Sequence, residues 1–416
     1  MSAIFLCIQI NTLRKNFIIL EFSFTYININ ALIYGAVGMT IYIVKSGDSV
    51  DSIAKQYGIS AHSIIYNNQI PYPYRLAIGQ ALLLSTQDET DSLPKQHIYS
   101  GGYAYPFISR WVLTETLPYL SYLYVFSYGF TEEGHLIPPT LDDTWMLSLA
   151  ASYETSPVLT LTPFGPDGQF SNYLIHKVIH SPSSMSSLRE DIISQMAQRG
   201  FRGLDIDFEY ILPEDKEAFV SFVAYMKDGI SSLGYPVSVA LAPKTSDDQK
   251  GLLYEGKDYK RLGEIADYVL LMTYEWGYTY GPAMAVAPIN KVREVVNYAL
   301  TVIPPEKIHL GIPNYGYDWT LPFVRGESRA ITLGNIEAVQ LAIEKGSSIE
   351  FDPISQAPYY HYTEAGKLHE VWFEDVRSLD AKFNLIKEFS LRGCSYWNIM
   401  QLFRANWLLL ENRFLI

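Results

Sequence analysis

The stretch Phe201-Arg202-Gly203-Leu204-Asp205-Ile206-Asp207-Phe208-Glu209-Tyr210 decides how the rest of the chain is read. As a β-strand it alternates without a break: Asp205, Asp207 and Glu209 take one face, and Leu204, Ile206 and Phe208 take the other. Three carboxylates in a row cannot line an ordinary core, because unpaired buried charges are too costly. The opposite face is apolar and calls for a cover of helices. A strand of a (β/α)8 TIM barrel meets both demands, with the acids near the C-terminal mouth where barrel enzymes keep their chemistry. Neighbouring carboxylates also repel, so one of them keeps its proton at a pH where a free acid has lost it. Such a carboxyl is a general acid. Glu209, last in the row and nearest the mouth, is the expected donor, with Asp207 beside it as the orienting partner. The same acids could hold a divalent cation or form the wet face of an edge strand; apolar flanks typical of a buried parallel strand favour the barrel.

Candidate strands at 103–107, 122–128, 158–162, 237–242, 268–274, 308–312 and 394–399 join 203–209 to make eight, separated by helical patterns. The helix after the acid strand is expected to open near Pro213, a favoured first-turn residue. Phe219, Phe222, Val223 and Met226 form the stripe that covers the sheet. Residues 324–375 are too many for a simple connection and read as a small inserted α+β subdomain. Its run Tyr359-Tyr360-His361-Tyr362, with Trp372, could line a cleft or fill a core of its own.

Towards the N-terminus the pattern changes. Residues 40–85 read as strand, two short helices and strand, with Ser49 as a helix cap and Gly58 as a helix stop. So short a unit buries little core and suits a binding module. Residues 86–97 are polar, lack apolar periodicity and read as a linker to a catalytic region at 98–416. Residues 1–38 fit neither a signal peptide nor a transmembrane span, being interrupted by Glu21, Asn28 and Asn30. They are expected to be a non-native or disordered extension, with translation starting at Met39.

The net charge of −13 argues against nucleic acid as a partner, and no segment suggests a membrane. Thirty-two Tyr and 7 Trp include enough aromatic faces to suit carbohydrate, although most serve packing. Two cysteines, Cys7 and Cys394, build neither a disulfide framework nor a zinc pattern. His176 and His180 lie four apart but lack the Glu of a zinc-protease motif, and read as surface or packing histidines.

The segment 203–209 resembles the D-G-x-D-x-D-x-E signature of glycoside hydrolase family 18, the chitinase-like enzymes, with Arg202 in place of the first Asp. Met272-Thr273-Tyr274-Glu275-Trp276 resembles the family's M-x-Y-D-W stretch, with Glu where Asp is usual, and Trp397 matches its sugar-stacking Trp. The family chemistry needs neither metal nor cofactor. It implies that Glu209 protonates the glycosidic oxygen, while Asp207 and Tyr274 hold the substrate's 2-acetamido group as its oxygen attacks C1. Asp205 would bias the protonation of Asp207, and Glu209 would then activate water, with retention. The resemblance further suggests Glu275, Trp276, Tyr128 and Tyr315 as substrate-binding residues.

Tyr42-x-Val44, Ser46-Gly47-Asp48-Ser49, Ile53-Ala54 and Tyr57-Gly58-Ile59 look like a LysM module. That implies a groove for N-acetylglucosamine-containing glycan, in peptidoglycan or chitin, formed by Gly47, Asp48 and Ser49 with Asn67 and Ile70. Residues 40–416 as a whole are similar to the spore-associated peptidoglycan hydrolases of endospore-forming bacteria, the cortical fragment-lytic N-acetylglucosaminidase type. A spore-bound monomer acting on cortex peptidoglycan during germination, without a cleavable secretion signal, is the expectation. A chitinase and a catalytically idle glycan-binding coat protein are the alternatives.

Overall fold

The computed structural model describes residues 38–86, 94–165 and 168–416. The expectation for the N-terminal extension lies outside them, save for Gly38, which opens the first strand.

The N-terminal unit pairs β1 (Gly38–Ile43) antiparallel with β2 (Ala81–Thr86), and between them run α1 (Val50–Tyr57) and α2 (Ala61–Asn67). Ser49 caps α1 by accepting from Ser52 N, and Gly58 ends it at φ 63°, in the left-handed region that favours glycine. The two-residue period of the ribbon splits its faces. Tyr42, Val44, Leu82 and Leu84 pack under the two helices, while Leu83, with Met39 and Ile41, packs into the core of the larger domain. The module is therefore docked. Arg404 donates to Gln69 Oε1 at 2.6 Å and to the Tyr66 carbonyl at 3.0 Å across the same seam. The end of the expected linker is also pinned: His97 pairs with Leu415, and Lys95 donates to the Glu411 carbonyl at 2.8 Å.

The larger domain runs β3 (Tyr99–Ala104), α3 (Arg110–Thr116), β4 (Tyr122–Phe130), β5 (Leu136–Ile137), α4 (Thr144–Ser152), β6 (Ser156–Leu161), α5 (Asn172–Ile179), α6 (Pro182–Arg199), β7 (Leu204–Ile206) and α7 (Lys216–Ser231). It continues with β8 (Val237–Leu241), α8 (Tyr259–Ile265), β9 (Tyr268–Leu271), α9 (Ile289–Ala299) and β10 (Ile308–Pro313). With β16 (Gly393–Trp397), which precedes α12 (Arg404–Arg413), the parallel strands close in the order β3-β16-β10-β9-β8-β7-β6-β4 and back to β3. This is the (β/α)8 barrel, with the two-residue-long β5 added antiparallel at the rim of β4.

Between β10 and β16 lie β11 (Gly316–Thr320), β12 (Ile331–Leu333), α10 (Asn335–Lys345), β13 (Glu350–Asp352), β14 (Ala357–Glu364), β15 (Lys367–Trp372) and α11 (Val376–Glu388). The five strands form a separate antiparallel sheet in the order β12-β11-β15-β14-β13. The inserted α+β unit thus begins at β11, before the expected residue 324, because Gly316–Thr320 leaves the barrel to pair with β15. Tyr360, Tyr362 and Phe373 fill its own core with Ala338 and Ala342 from α10, and Tyr359 stacks on Trp372 at 4.6 Å. None of these aromatics lines the cleft described below.

Candidate active site

Strand β7 spans only Leu204–Ile206; Asp207 N still donates to the Leu161 carbonyl of β6 at 3.0 Å, and Phe208 and Glu209 run on past it into the mouth. The alternation nevertheless persists. Leu204, Ile206 and Phe208 are wholly buried beneath the helices, where Phe208 lies 5.3 Å from Phe222 and 5.8 Å from Phe219. Asp205 turns the other way, into the barrel, where it accepts from Tyr103 Oη at 2.8 Å and Ser238 Oγ at 2.7 Å. Asp207 is buried above it, and its Oδ1 has no hydrogen-bond partner among the described residues. Glu209 stands at the mouth, half-buried. Arg202 sits at the other end of the segment with its side chain exposed.

These groups open onto a cleft of about 630 Å³. Asp207, Glu209, Tyr274, Glu275 and Trp397 line it, together with Tyr103, Tyr105, Phe126, Phe164, Phe170, Met272 and Tyr278. Trp397, at the end of β16, is propped edge-on by Phe126 at 4.8 Å and by Tyr103 at 5.6 Å. Tyr274 needs Gly311 beside it: a Cβ there would come within 2.8 Å of the Tyr274 ring and 2.3 Å of the Leu271 carbonyl. Tyr210 and Glu275, the residues that follow Glu209 and Tyr274, hold positive φ values of 57° and 68°. Backbone strain of about 1–3 kcal/mol at each is a frequent mark of a functional rim.

Burial raises all three acids. Asp205 is pushed up to about 7, by burial first and then by the charge of Asp207, against the pull of its two hydroxyl donors. Burial lifts Asp207 as well, opposed by the positive charge of Lys257. Glu209 rises through burial, then through the charge of Asp207, with Lys257 again opposing. Glu209 therefore keeps its proton well above the ordinary carboxylate range. Lys257 is a residue that sequence reading missed. It is buried beneath the acid row in the loop between β8 and α8, with Nζ donating to the Ala240 carbonyl at 2.5 Å. Burial drives its pKa down, while the three acids hold it up. No spacing or motif marks it; only the fold brings it under the acids.

Four expected ligand residues stand elsewhere. Tyr128 faces the outer helices, donating to Asp143 Oδ2 at 2.6 Å and packing on Phe201. The β4–β6 register shifts between Val125 and Tyr128, so the inward parity of Tyr122, Tyr124 and Phe126 ends before Tyr128 is reached, and Phe126 takes the cleft position. Tyr315 is buried behind the cleft wall with its hydroxyl on Glu275, where Tyr317 Oη also donates at 2.9 Å. Trp276 packs against the barrel core and does not line the cleft. Ile70 belongs to the core of the N-terminal module.

The other expected module residues are partly committed. Asp48 accepts from Tyr42 Oη and Lys45 N, both at 2.7 Å; Ser49 caps α1; Asn67 donates to Ser85 Oγ at 3.1 Å. A groove of about 490 Å³ does open beside Asp48 and Ser49, but its far wall is residues 73–78 and the end of α10, not the segment around Asn67.

Comparison with known proteins agrees with this geometry. The family model described as glycosyl hydrolases family 18 matches residues 160–401, and the LysM domain model matches residues 42–85. The cortical fragment-lytic enzyme of Bacillus subtilis (strain 168) is 37% identical over 90% of this chain and 98% of its own. The crystal structure of the Bacillus cereus spore cortex-lytic enzyme SleL superposes with a TM-score of 0.86 at 34% identity, covering 91% of this chain and 98% of that one. A chitinase from Chromobacterium violaceum shares the fold at a TM-score of 0.70 and 22% identity, over 76% of this chain and 98% of its own. With a family model spanning more than half of its length and a relative this similar across nearly all of its own, the chain belongs to glycosyl hydrolase family 18 and is a glycosidase that carries a LysM domain.

Proposed function

We propose that the protein hydrolyses N-acetylglucosaminyl linkages of spore cortex peptidoglycan, with retention and with help from the substrate's own acetamido group. The observation that supports this most is a single cleft shared by a raised carboxyl, Glu209, a buried carboxylate with a free oxygen, Asp207, a tyrosine hydroxyl, Tyr274, and an aromatic floor, Trp397. In this reading Glu209 gives its proton to the glycosidic oxygen as C1–O breaks, and the acetamido oxygen closes on C1. Asp207 and Tyr274 polarise and orient the acetamido group, and the ring over Trp397 is held by stacking. Asp205, fixed by Tyr103 and Ser238, sets how readily Asp207 ionises. Deprotonated Glu209 then takes a proton from water, which opens the intermediate on the face the leaving group left. No second carboxylate nucleophile is required, in contrast to the two-carboxylate scheme.

The relatives named for spore cortex lysis support cortex as the substrate and the spore as the site of action; action during germination is part of the same proposal. The LysM module would hold the same glycan. No helix among the described residues is long and apolar enough to cross a membrane. Digesting cortex fragments and chitin oligomers side by side, with mass spectrometry of the products, tests the assignment. Cortex products ending in reducing N-acetylglucosamine are expected; turnover of chitin alone would move the protein to the chitinases, and no turnover of either would make it a glycan-binding protein.

A further inference from the structure

His176 lies near the end of α5, and His180 is the residue that caps it. Four apart on a helix, they share one face, and their ring centroids are 4.6 Å apart. The fold brings a third group to them from a distant part of the sequence. Asp215, at the entrance to α7, puts Oδ1 2.8 Å from His176 Nδ1 and 2.9 Å from His180 Nε2. All three ligand atoms lie within 4.8 Å of one another.

Hydrogen bonding alone leaves this cluster poorly resolved. Both imidazoles aim a nitrogen at the same oxygen, while Oδ2 of the wholly buried Asp215 has no partner among the described residues. Two imidazoles and one carboxylate are the donor set of a borderline divalent ion such as Zn²⁺, which takes nitrogen and oxygen together. Magnesium and calcium, which prefer oxygen donors alone, fit it badly. A tetrahedral ion with bonds of about 2.0–2.1 Å needs donors about 3.3 Å apart. The two nitrogens need move off Asp215 Oδ1 by only a few tenths of an ångström. Now within 4.8 Å of each other, they must settle about 3.3 Å apart. Both histidines, 47% exposed, have room to adjust. Their exposure also leaves the fourth corner to water.

We propose that His176, His180 and Asp215 form a Zn²⁺-type metal site that clamps two rims of the cleft together. Helix α5 follows the loop that carries Phe164 and Phe170, and Asp215 follows Glu209 and Tyr210 in the chain. Phe170 already meets Tyr210 with ring centroids 6.2 Å apart. The ion supplies no step of the hydrolysis; it holds the outer ends of both segments to one another.

The test uses the tag-free full chain, stripped with chelator and then titrated with ZnCl₂ in excess Mg²⁺, with calorimetry and thermal melting as readouts. One saturable Zn²⁺ per chain and a Tm that rises with Zn²⁺ but not with Mg²⁺ are expected. His176→Gln and His180→Gln, both at exposed side chains, should keep the metal-free Tm and weaken Zn²⁺ binding at least about tenfold, as loss of a ligand costs no less than loss of its supporting partner. Co²⁺ should give visible absorption bands that vanish in the double variant. Failure to saturate, or an equal Zn²⁺ response in the double variant, would overturn the site.

Discussion

Two clusters of buried acids sit on this fold, and they are built on opposite terms. At the start of α11, Glu374 meets Lys382 at 2.8 Å with both side chains 0% exposed, and Ser378 Oγ donates to the same oxygen. Beside it Asp375 caps the helix through Arg377 N and Ser378 N and pairs with the Arg377 guanidinium at 2.6 Å. Each acid there has its own cation and at least one hydroxyl or amide donor, although Glu374 Oε1 has no partner among the described residues. At the mouth of the barrel, three acids share one buried lysine, and the row faces open space. Neutralised charge at α11 serves the structure. Charge left unbalanced beside a cleft is available for proton transfer.

The contrast is broken most directly at Glu209. Glu209→Gln is expected to cut turnover of cortex glycan by about 10²–10⁴-fold, the share a positioned proton donor supplies, while Tm holds because the protonated carboxyl and the amide are both neutral and of nearly the same shape. Near-normal turnover would remove Glu209 as the acid. The α11 cluster should give the reverse pattern. Lys382→Met strands Glu374 without its cation and is expected to cost about 3–5 kcal/mol of folding stability in denaturant melts, with kcat/KM of the folded fraction unchanged. Equal losses of activity in both variants would mean that the two clusters do not differ as described.

Much of this was legible before any coordinates. The period-two row at 203–209 survived because burial of Leu204, Ile206 and Phe208 under α7 fixes which way the acids turn, even where the ladder has ended. Tyr128 misled for the complementary reason. Parity is a safe guide only while register holds, and a shift in β4 leaves no composition signal behind it. Ile70 read as a groove residue, but a small module must fill its core from every segment it has. Asp215 and Lys257 were invisible altogether. Each acquires its partners from other elements, across a distance in sequence that no local pattern records.

Lys257 offers the finest test of the same comparison, since among the described residues it is the cation the acid row shares. Its charge holds down the pKa of Asp205, Asp207 and Glu209, so its removal must let all three rise. An acid whose pKa rises keeps its proton to higher pH. In Lys257→Met the alkaline limb of kcat/KM, set by loss of the proton from Glu209, is therefore expected to move to higher pH. The acid limb, set by ionisation of Asp207, moves the same way, so the bell shifts as a whole. A merely structural lysine would lower the height of the profile without moving it. A profile that stays in place would show that the lysine is not felt by these carboxyls, and the row would then have to be tuned by burial and mutual repulsion alone.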